Sequence, residues 1–370
     1  MNESQQTKFY LDLAARNAMR AFGHASPNPM VGAVIVKDNQ VIGVGHHTKF
    51  GKLHAEREAL ANCKSIGNNP HGSTLYCTLE PCSHHGKQPP CTDAVIEAGI
   101  RKVVIARKDP ADISTGGIDL LLAHGIEVVL TDLSPKATHI SDPFIHRVET
   151  GLPWVIAKWA QTIDGRIATR SGESQWISNP RCRKRVHRLR AKVDAILIGV
   201  GTAIADDPML TARDCRHVRR VAKRVVLDTQ GRLPLESKLV ESAHQVPTII
   251  CTANPSVFAK TNCSVIKVPK TPQGIDIEYV LAKLASDFDV TTLLVEAGPR
   301  VLGSCIDQQL INEAIVHLAP GVLADDHAKP VAAGRNAPKL VDMRRYDLIR
   351  SKQIENDIEL HYRKRDESQP

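Results

Sequence analysis

His54, Glu56, Cys82 and Cys91 are the residue types that hold zinc and move protons. They lie in two stretches, HAEREAL at 54–60 and LEPCSHHGKQPPC at 79–91. A catalytic zinc takes three protein ligands and keeps one position for water. His54, Cys82 and Cys91 supply an imidazole and two thiols. Coordination deprotonates the thiols, and a helix N-terminus favours the same ionisation. Glu56 follows His54 by two residues. That spacing suits it poorly as a further ligand on one helix face and well as a group reaching the water. Its expected role is general acid and base, taking the water proton and passing it to a leaving amine. A closed structural zinc needs a fourth protein donor, which His84 or His85 could offer. The coincidence of H-x-E, a strand-end Pro-Cys turn and helix–strand order favours the catalytic site. The remaining cysteines, Cys63, Cys77, Cys182, Cys215, Cys251, Cys263 and Cys305, are assigned to structure.

The H-x-E and Pro-Cys pattern is that of zinc deaminases acting on nucleobase-like rings. Such sites commonly separate their cysteines by about two residues. Here SHHGKQPP intervenes. Loop closure entropy grows only logarithmically, so the longer loop costs little. Pro89 and Pro90 stiffen its exit toward Cys91. The insertion brings His84, His85 and Lys87 to the mouth of the site. Lys87 is a point charge suited to a phosphate.

These residues need elements to hold them. Apolar spacing predicts a helix over 8–22 and a hairpin from 31–37 and 40–45 across Asp38-Asn39. A helix over 54–67, a strand over 73–80, a helix over 91–100 and a strand over 102–107 follow, then one more helix and strand. Strand–helix alternation predicts a largely parallel α/β sheet. Residues 131–152 are polar and proline-containing and read as the domain junction. A second series follows: strands at 153–160, 194–201, 224–228, 247–251, 292–296 and 313–319, and helices at 180–192, 276–288 and near 300–310. No fixed-period repeat is present, so no solenoid is suggested.

The second half has no G-x-G-x-x-G after a strand, so a Rossmann dinucleotide fold is unsupported. Two glycine-containing strand ends remain, ILIGVGTAIADDP (196–208) and LLVEAGPRVLGS (293–304). A helix N-terminus there would suit a pyrophosphate.

SPNPMVGAVIV (26–36), HAE (54–56) and TLEPCSHHGKQPPC (78–91) resemble the deaminase half of the bifunctional pyrimidine deaminase–reductases of riboflavin biosynthesis. KWAQTIDGRIAT (158–169), SGESQWIS (171–178), the stretch 187–213, RVVLDTQGRLPL (224–235) and VEAGP (295–299) are similar to their reductase half. The resemblance implies an α/β chain with two domains. One is a cytidine-deaminase-like three-layer domain over 1–150, and the other a dihydrofolate-reductase-like domain over 151–370. It implies zinc on His54, Cys82 and Cys91, with Glu56 as proton shuttle. It implies contacts from Asn28 and His47 to the pyrimidine and from Lys87 to the ribose 5-phosphate. The substrate would be a diaminopyrimidinone ribosylamine phosphate whose 2-amino group is replaced by water. In the second half the implied cofactor is NADPH, touched by Ala160, Trp176, Thr202 and Asp206. The turn Gly298, Pro299, Arg300, Val301, Leu302, Gly303 and Ser304 would surround its phosphates. Ser174, Arg190, Leu210, Arg213 and Glu296 would line the substrate, with Lys158 near the ribosyl group. Hydride would go to C1 of the opened ribose, giving a ribityl chain. A homo-oligomer is also implied. Two segments depart from the family pattern: 319–331 lacks a Leu-Leu-Gly, and 106–115 lacks an Asn-Pro.

The bulk properties agree with such a chain. Its 370 residues suggest two domains. A net charge of +8 favours anionic partners such as phosphate esters or dinucleotides. Nine cysteines without an even framework, and an N-terminus lacking an apolar signal, predict a cytoplasmic protein. No apolar run reaches membrane-spanning length. The basic run 181–192 tempts a nucleic-acid reading. Its Cys182, Val186, Leu189 and Val193 fall at helical spacing, so its charges read as a solvated face, with Arg190 kept for phosphate. Of a second basic patch, 213–224, Arg213 is kept for substrate and the others for the extra phosphate of NADPH. Neither run interleaves aromatics, as a single-strand binding surface would. The tail from 363 onward reads as disordered.

Overall fold

Asn2 starts the first helix, α1 (Glu3–Ala18), through a capping box. Its side chain accepts from the Gln5 amide at 2.9 Å, and its own amide donates to Gln5 Oε1 at 3.1 Å. The apolar period places this start at residue 8, because the capped first turn is entirely polar. The structure, a computed structural model, describes residues 1–370 except 87, 112–115, 272–273, 336 and 366–370. Two compact units divide it, Met1–Leu152 and Pro153–Pro370.

In the first unit, β1 (Gly32–Lys37) and β2 (Gln40–His46) pair across Asp38 and Asn39. Both turn residues take positive φ, 49° and 62°, as a tight hairpin demands. Then come α2 (Ala55–Ser65), β3 (Thr74–Cys77), α3 (Cys91–Glu97), β4 (Lys102–Ile105), α4 (Gly117–Ala123) and β5 (Glu127–Leu130). The sheet order is β2-β1-β3-β4-β5. β1 runs antiparallel to both neighbours, while β3, β4 and β5 are parallel, so this sheet is mixed. Successive strand residues face opposite layers. Leu75 and Val103 join Leu60, Cys63 and Val95 in the core on one side. Tyr76 and Val104 pack with Leu11 and Ala15 of α1 on the other.

The reading of 131–152 as a junction is corrected. That stretch folds into α5 (Pro135–His139) and α6 (Asp142–Thr150). Each helix has proline in its first turn, where the missing N–H costs nothing. Ser134 caps α5 by accepting from the Ala137 amide at 3.1 Å. Ile145 of α6 enters the first unit's core.

The second unit contains β6 (Trp154–Gln161), β7 (Arg166–Ala168), α7 (Pro180–Arg190), β8 (Ala195–Gly199), α8 (Val200–Asp206), β9 (Lys223–Leu227), α9 (Lys238–Glu241), β10 (Thr248–Thr252) and β11 (Ser264–Lys267). After the short pair β12 (Lys270–Thr271) and β13 (Gly274–Ile275) come α10 (Ile277–Phe288), β14 (Thr292–Val295), α11 (Pro299–Asp307), β15 (Glu313–Leu318) and β16 (Lys329–Pro330). β17 (Tyr346–Ile354) and β18 (Asp357–Lys364) close the chain. The nine-stranded sheet is ordered β11-β10-β9-β8-β14-β6-β15-β18-β17. It is parallel as far as β15, and β18 and β17 add antiparallel. Sequence periodicity passes over this last hairpin, since Arg, Lys, Asp and Glu occupy much of both strands. The disordered reading of the tail fails for Arg363 and Lys364, which belong to β18. Residues 366–370 lie outside the described residues.

The segment 319–331 is tied down despite its missing glycine motif. The Leu323 and Ala324 amides donate to Asp164 at 3.2 and 2.9 Å. Arg170 forks onto Asp325, both bonds at 2.7 Å. Lys329 pairs with Ala168 of β7. Ala324 takes φ 49° there, the region where glycine is unstrained. Among the described residues, no helix is long and apolar enough to cross a membrane.

Candidate active sites

The first site forms where α2 begins on β2. A Cβ at Gly45 would fall 2.3 Å from both the Ala55 carbonyl oxygen and the Ala59 nitrogen, so only glycine lets the helix lie this close. His54 is the N-cap of α2, and Glu56 sits in its first turn. Cys82 follows the end of β3, and Cys91 opens α3 after the long loop. The donor atoms of His54, Cys82 and Cys91 all lie within 4.8 Å of one another. His54 Nδ1 is 3.4 Å from each sulfur. Tetrahedral zinc with ordinary bond lengths would separate N and S by about 3.6 Å, so the three donors fit a zinc ion. Among the described residues no fourth His, Cys, Asp or Glu joins this group.

The electrostatics agree. A hydrogen bond from Cys91, assisted by His54 and opposed by burial, pulls the Cys82 thiol down to about 4. Cys91, which gives that hydrogen bond and is itself buried, is held above the thiol range. Bound zinc would ionise both thiols. Glu56 is 3% exposed, with Oε2 3.4 Å from Cys91 Sγ. Burial first and the Cys82 charge second raise it to about 7.

Asn28 and His47 come together beside these donors. The His47 ring meets the His54 ring edge-on, centroids 5.5 Å apart. Nδ1 of His47 lies 3.0 Å from the Leu53 carbonyl oxygen, so it carries the proton. Nε2 then accepts from the Asn28 amide at 3.2 Å. Burial lowers the His47 pKa and keeps the ring neutral. Lys87 lies outside the described residues.

The second unit gathers its groups at the strand ends. Arg190, on α7, forks onto Glu296 at the end of β14, with bonds of 2.8 and 2.6 Å. Burial would raise the Glu296 carboxyl, but Arg190 and then Lys158 hold it below the ordinary range. Lys158 is lowered by burial, with Glu296 opposing. The fork engages Nε and Nη2 of Arg190, so a buried carboxylate shares the guanidinium that the sequence reading assigns to phosphate. α7 also turns Arg185 inward, onto Glu359 at 2.6 Å twice, so its charges are not all solvated. In the second basic patch, Arg220 pairs with Asp194 and Arg224 is fully buried among carbonyl and hydroxyl oxygens. Burial closes Arg224 to a cofactor phosphate.

Leu210 is buried at φ 47°, and the Arg213 amide donates to His187 Nδ1 at 3.4 Å. Ala160 is half-buried on β6 opposite His317, and Ser174 is half-buried in the loop after β7. Trp176 is 63% exposed, with the Arg183 guanidinium 4.4 Å over its ring. Thr202 of α8 lies beside the Gly298 N-cap of α11, its Oγ1 3.7 Å from where a Cβ would stand. Asp206, at the end of α8, is raised by burial and feels the charge of Lys329. Of the 298–304 run, Leu302 is fully buried, and Gly303 packs where a Cβ would lie 2.0 Å from the Ala333 carbonyl oxygen. These two can offer a phosphate only backbone. Ser304 Oγ donates to the Arg300 carbonyl at 3.0 Å.

Two residues that the sequence reading misses join this second cluster. His187 stands one turn before Arg190, a spacing legible on a helix. Lys329 reaches the region only through the β7–β16 pairing, which no local pattern announces.

Comparison with known proteins covers both units. The cytidine and deoxycytidylate deaminase zinc-binding region matches residues 4–107, and the RibD C-terminal domain matches residues 153–360. The riboflavin biosynthesis protein RibD of Actinobacillus pleuropneumoniae is 35% identical over 359 residues, 95% of this chain and 94% of that one. The structure of Acinetobacter baumannii RibD is 32% identical with a TM-score of 0.86, covering 98% of this chain and all of that one. The diaminohydroxyphosphoribosylaminopyrimidine deaminase/5-amino-6-(5-phosphoribosylamino)uracil reductase of Thermotoga maritima is 30% identical, also with a TM-score of 0.86, over the same shares.

Proposed function

The chain belongs to the RibD family of bifunctional deaminase–reductases in riboflavin biosynthesis, and from that premise we propose which residues carry each half-reaction. The enzyme deaminates a phosphorylated diaminopyrimidine and reduces the ribosyl group of the resulting uracil, using zinc and a nicotinamide cofactor. Its first unit is cytidine-deaminase-like and its second dihydrofolate-reductase-like. The rival reading, a nucleic-acid base deaminase with an accessory domain, is not favoured.

The first unit performs the deamination. His54, Cys82 and Cys91 hold zinc, which when bound supplies the Lewis acidity that makes water nucleophilic near neutral pH. Glu56 takes the proton of the attacking water and delivers it to the departing nitrogen, so a C–O bond forms as the C–N bond breaks and ammonia leaves. Neutral His47 and Asn28, locked to each other, orient the pyrimidine. Lys87 holds the 5-phosphate. The observation that carries this reading is the three-donor cluster with a buried carboxylate beside it.

The second unit performs the reduction. NADPH, when bound, would supply the hydride for C1 of the ribose in its opened imine form, the imine nitrogen taking a proton as the amine forms. Ala160, Trp176, Thr202, Asp206 and the α11 N-terminal turn from Gly298 to Ser304 orient the cofactor. Lys158, Ser174, Leu210, Arg213 and the Arg190–Glu296 pair line the substrate. Its motif resemblance supports NADPH over other nicotinamide forms. Nine free cysteines suit a reducing cytoplasm. The edge strand β17, with Leu348 and Ile349 about half exposed, and Leu340 and Val341 at 83% exposed, support a homo-oligomer. Sedimentation of the purified chain tests this, and a monomer at micromolar concentration refutes it.

The test of the deaminase assignment is one zinc per chain by elemental analysis, with ammonia release abolished by chelation and restored by zinc. Full ammonia release from rigorously metal-free protein would overturn it.

A further inference from the structure

The eight residues between Cys82 and Cys91 pose a mechanical problem. A two-residue spacer fixes the second thiol relative to the first through covalent geometry. A longer loop leaves the second thiol to be placed by something else. Among the described residues, Thr92 ties the far side of the loop back to Cys82, its amide and hydroxyl donating to the Cys82 carbonyl at 3.2 and 3.3 Å. Gly86 donates to the Gln88 carbonyl at 3.2 Å, and Gln88 Nε2 donates to the Gly51 carbonyl at 3.3 Å. At its exit, the backbone amide of Cys91 points at Cys82 Sγ, 3.5 Å away. Pro89 and Pro90 carry no N–H, so they cannot donate to a neighbouring strand or turn.

Their carbonyls are held by one side chain. Arg57 Nε donates to the Pro89 carbonyl at 3.1 Å, and Arg57 Nη2 donates to the Pro90 carbonyl at 2.6 Å. Arg57 belongs to the first turn of α2, three residues after His54 and one after Glu56. Its guanidinium therefore joins the element that carries the imidazole and the carboxylate to the two residues immediately before Cys91. A planar fork on two successive carbonyls fixes both the position and the rotation of that peptide, which a single bond would not.

We propose that Arg57 is a positioning residue, a strut that sets Cys91 against His54 and so lets a long cysteine loop hold zinc as firmly as a short one. Arg57 is not one of the three donors, and its influence passes through Cys91. The inference rests on the zinc reading of the His54–Cys82–Cys91 cluster. A neighbouring cation has a second possible influence, by charge alone. Charge and geometry predict opposite signs. A positive charge repels a dication, so its removal would tighten zinc. Loss of a strut loosens it, and outer contacts that orient a ligand typically govern about 10- to 100-fold of metal affinity.

The experiment measures zinc release from the full-length enzyme into a chromogenic chelator for wild type, R57K and R57A. Visible spectra of the cobalt-substituted proteins and KM and kcat of deamination accompany it. The strut predicts zinc release about tenfold or more faster in R57A, with R57K between R57A and wild type, because lysine keeps the charge but offers no planar fork. The cobalt bands of R57A should weaken or shift as the tetrahedron relaxes. NADPH oxidation, carried by the other unit, should be unchanged. Equal release rates in all three proteins, or slower release in R57A with R57K like wild type, would overturn the strut. Should R57A fail to fold, the R57K rate decides alone, since wild-type release from folded R57K contradicts the fork. A wild-type protein that binds no zinc would instead refute the metal reading itself, a separable result.

Discussion

The proton-shuttle role proposed for Glu56 rests on its placement. The side chain is buried, lies next to the three donors and is not one of them. Burial raises its pKa to about 7, and a dication at the donors would bring it back toward the ionised form that accepts the water proton. E56Q keeps the shape and removes the proton acceptor. It is expected to retain full zinc occupancy while ammonia release falls by about 10²- to 10⁴-fold, read by elemental analysis and an ammonia assay on one preparation. Normal turnover would remove Glu56 from the mechanism. A second residue records a departure from the family pattern. Ala324 stands at positive φ within the segment that lacks the expected Leu-Leu-Gly. A left-handed residue with a Cβ costs about 1–2 kcal/mol, part of which glycine's freer unfolded chain takes back. A324G is therefore expected to stabilise the second unit by about 0.5 kcal/mol, measured as a rise in its unfolding midpoint. The His54, Glu56, Cys82 and Cys91 cluster is legible in the sequence, because H-x-E and Pro-Cys are local and their chemistry is specific. The pairing of Arg190 is not legible, since Glu296 lies 106 residues away in the chain.

At the scale of elements, β18 carries a buried acid that its own sequence does not explain. Glu359 is 4% exposed and meets Arg185 of α7, Arg350 of β17 and His317 of β15. Burial would raise its pKa, but His317, Arg185 and Arg350 together hold it far below the ordinary carboxylate value. A depressed folded-state pKa gives stability that is present above the unfolded value and lost as pH falls through the folded one. The second unit should therefore lose stability progressively below about pH 4.5. His317 adds to this at higher pH. Burial depresses its pKa, so the unfolded chain binds its proton first, and stability begins to fall below about pH 6.5. E359Q is expected to cost about 2–3 kcal/mol at neutral pH, by leaving Arg185 poorly paired, and to flatten the acid limb of stability against pH. Urea midpoints measured from pH 4 to 8 check both. An acid limb unchanged in E359Q would place the titration elsewhere. The hairpin that carries this acid escapes sequence periodicity because an edge strand keeps polar residues on its open face.

At the scale of the molecule, each compact unit holds its own chemical groups, so the two activities should fail separately. E296A and D206A are expected to lower NADPH oxidation by at least about tenfold while ammonia release stays at the wild-type rate. Chelation should do the reverse. Parallel loss of both activities in E296A would mean unfolding rather than a lost contact. The sequence alone determined the two-part chain, the α/β character of both parts, the deaminase donor set and the family. Those depend on short motifs and on apolar periods of a few residues. It did not determine that 131–152 is helical, that Arg190 and Arg185 pair with internal acids, that Arg224 is enclosed, or that Lys329 pairs with β7. Each of these is a meeting of segments distant along the chain. Only the closed fold, by burying a charge and obliging it to find a partner, decides which residues meet.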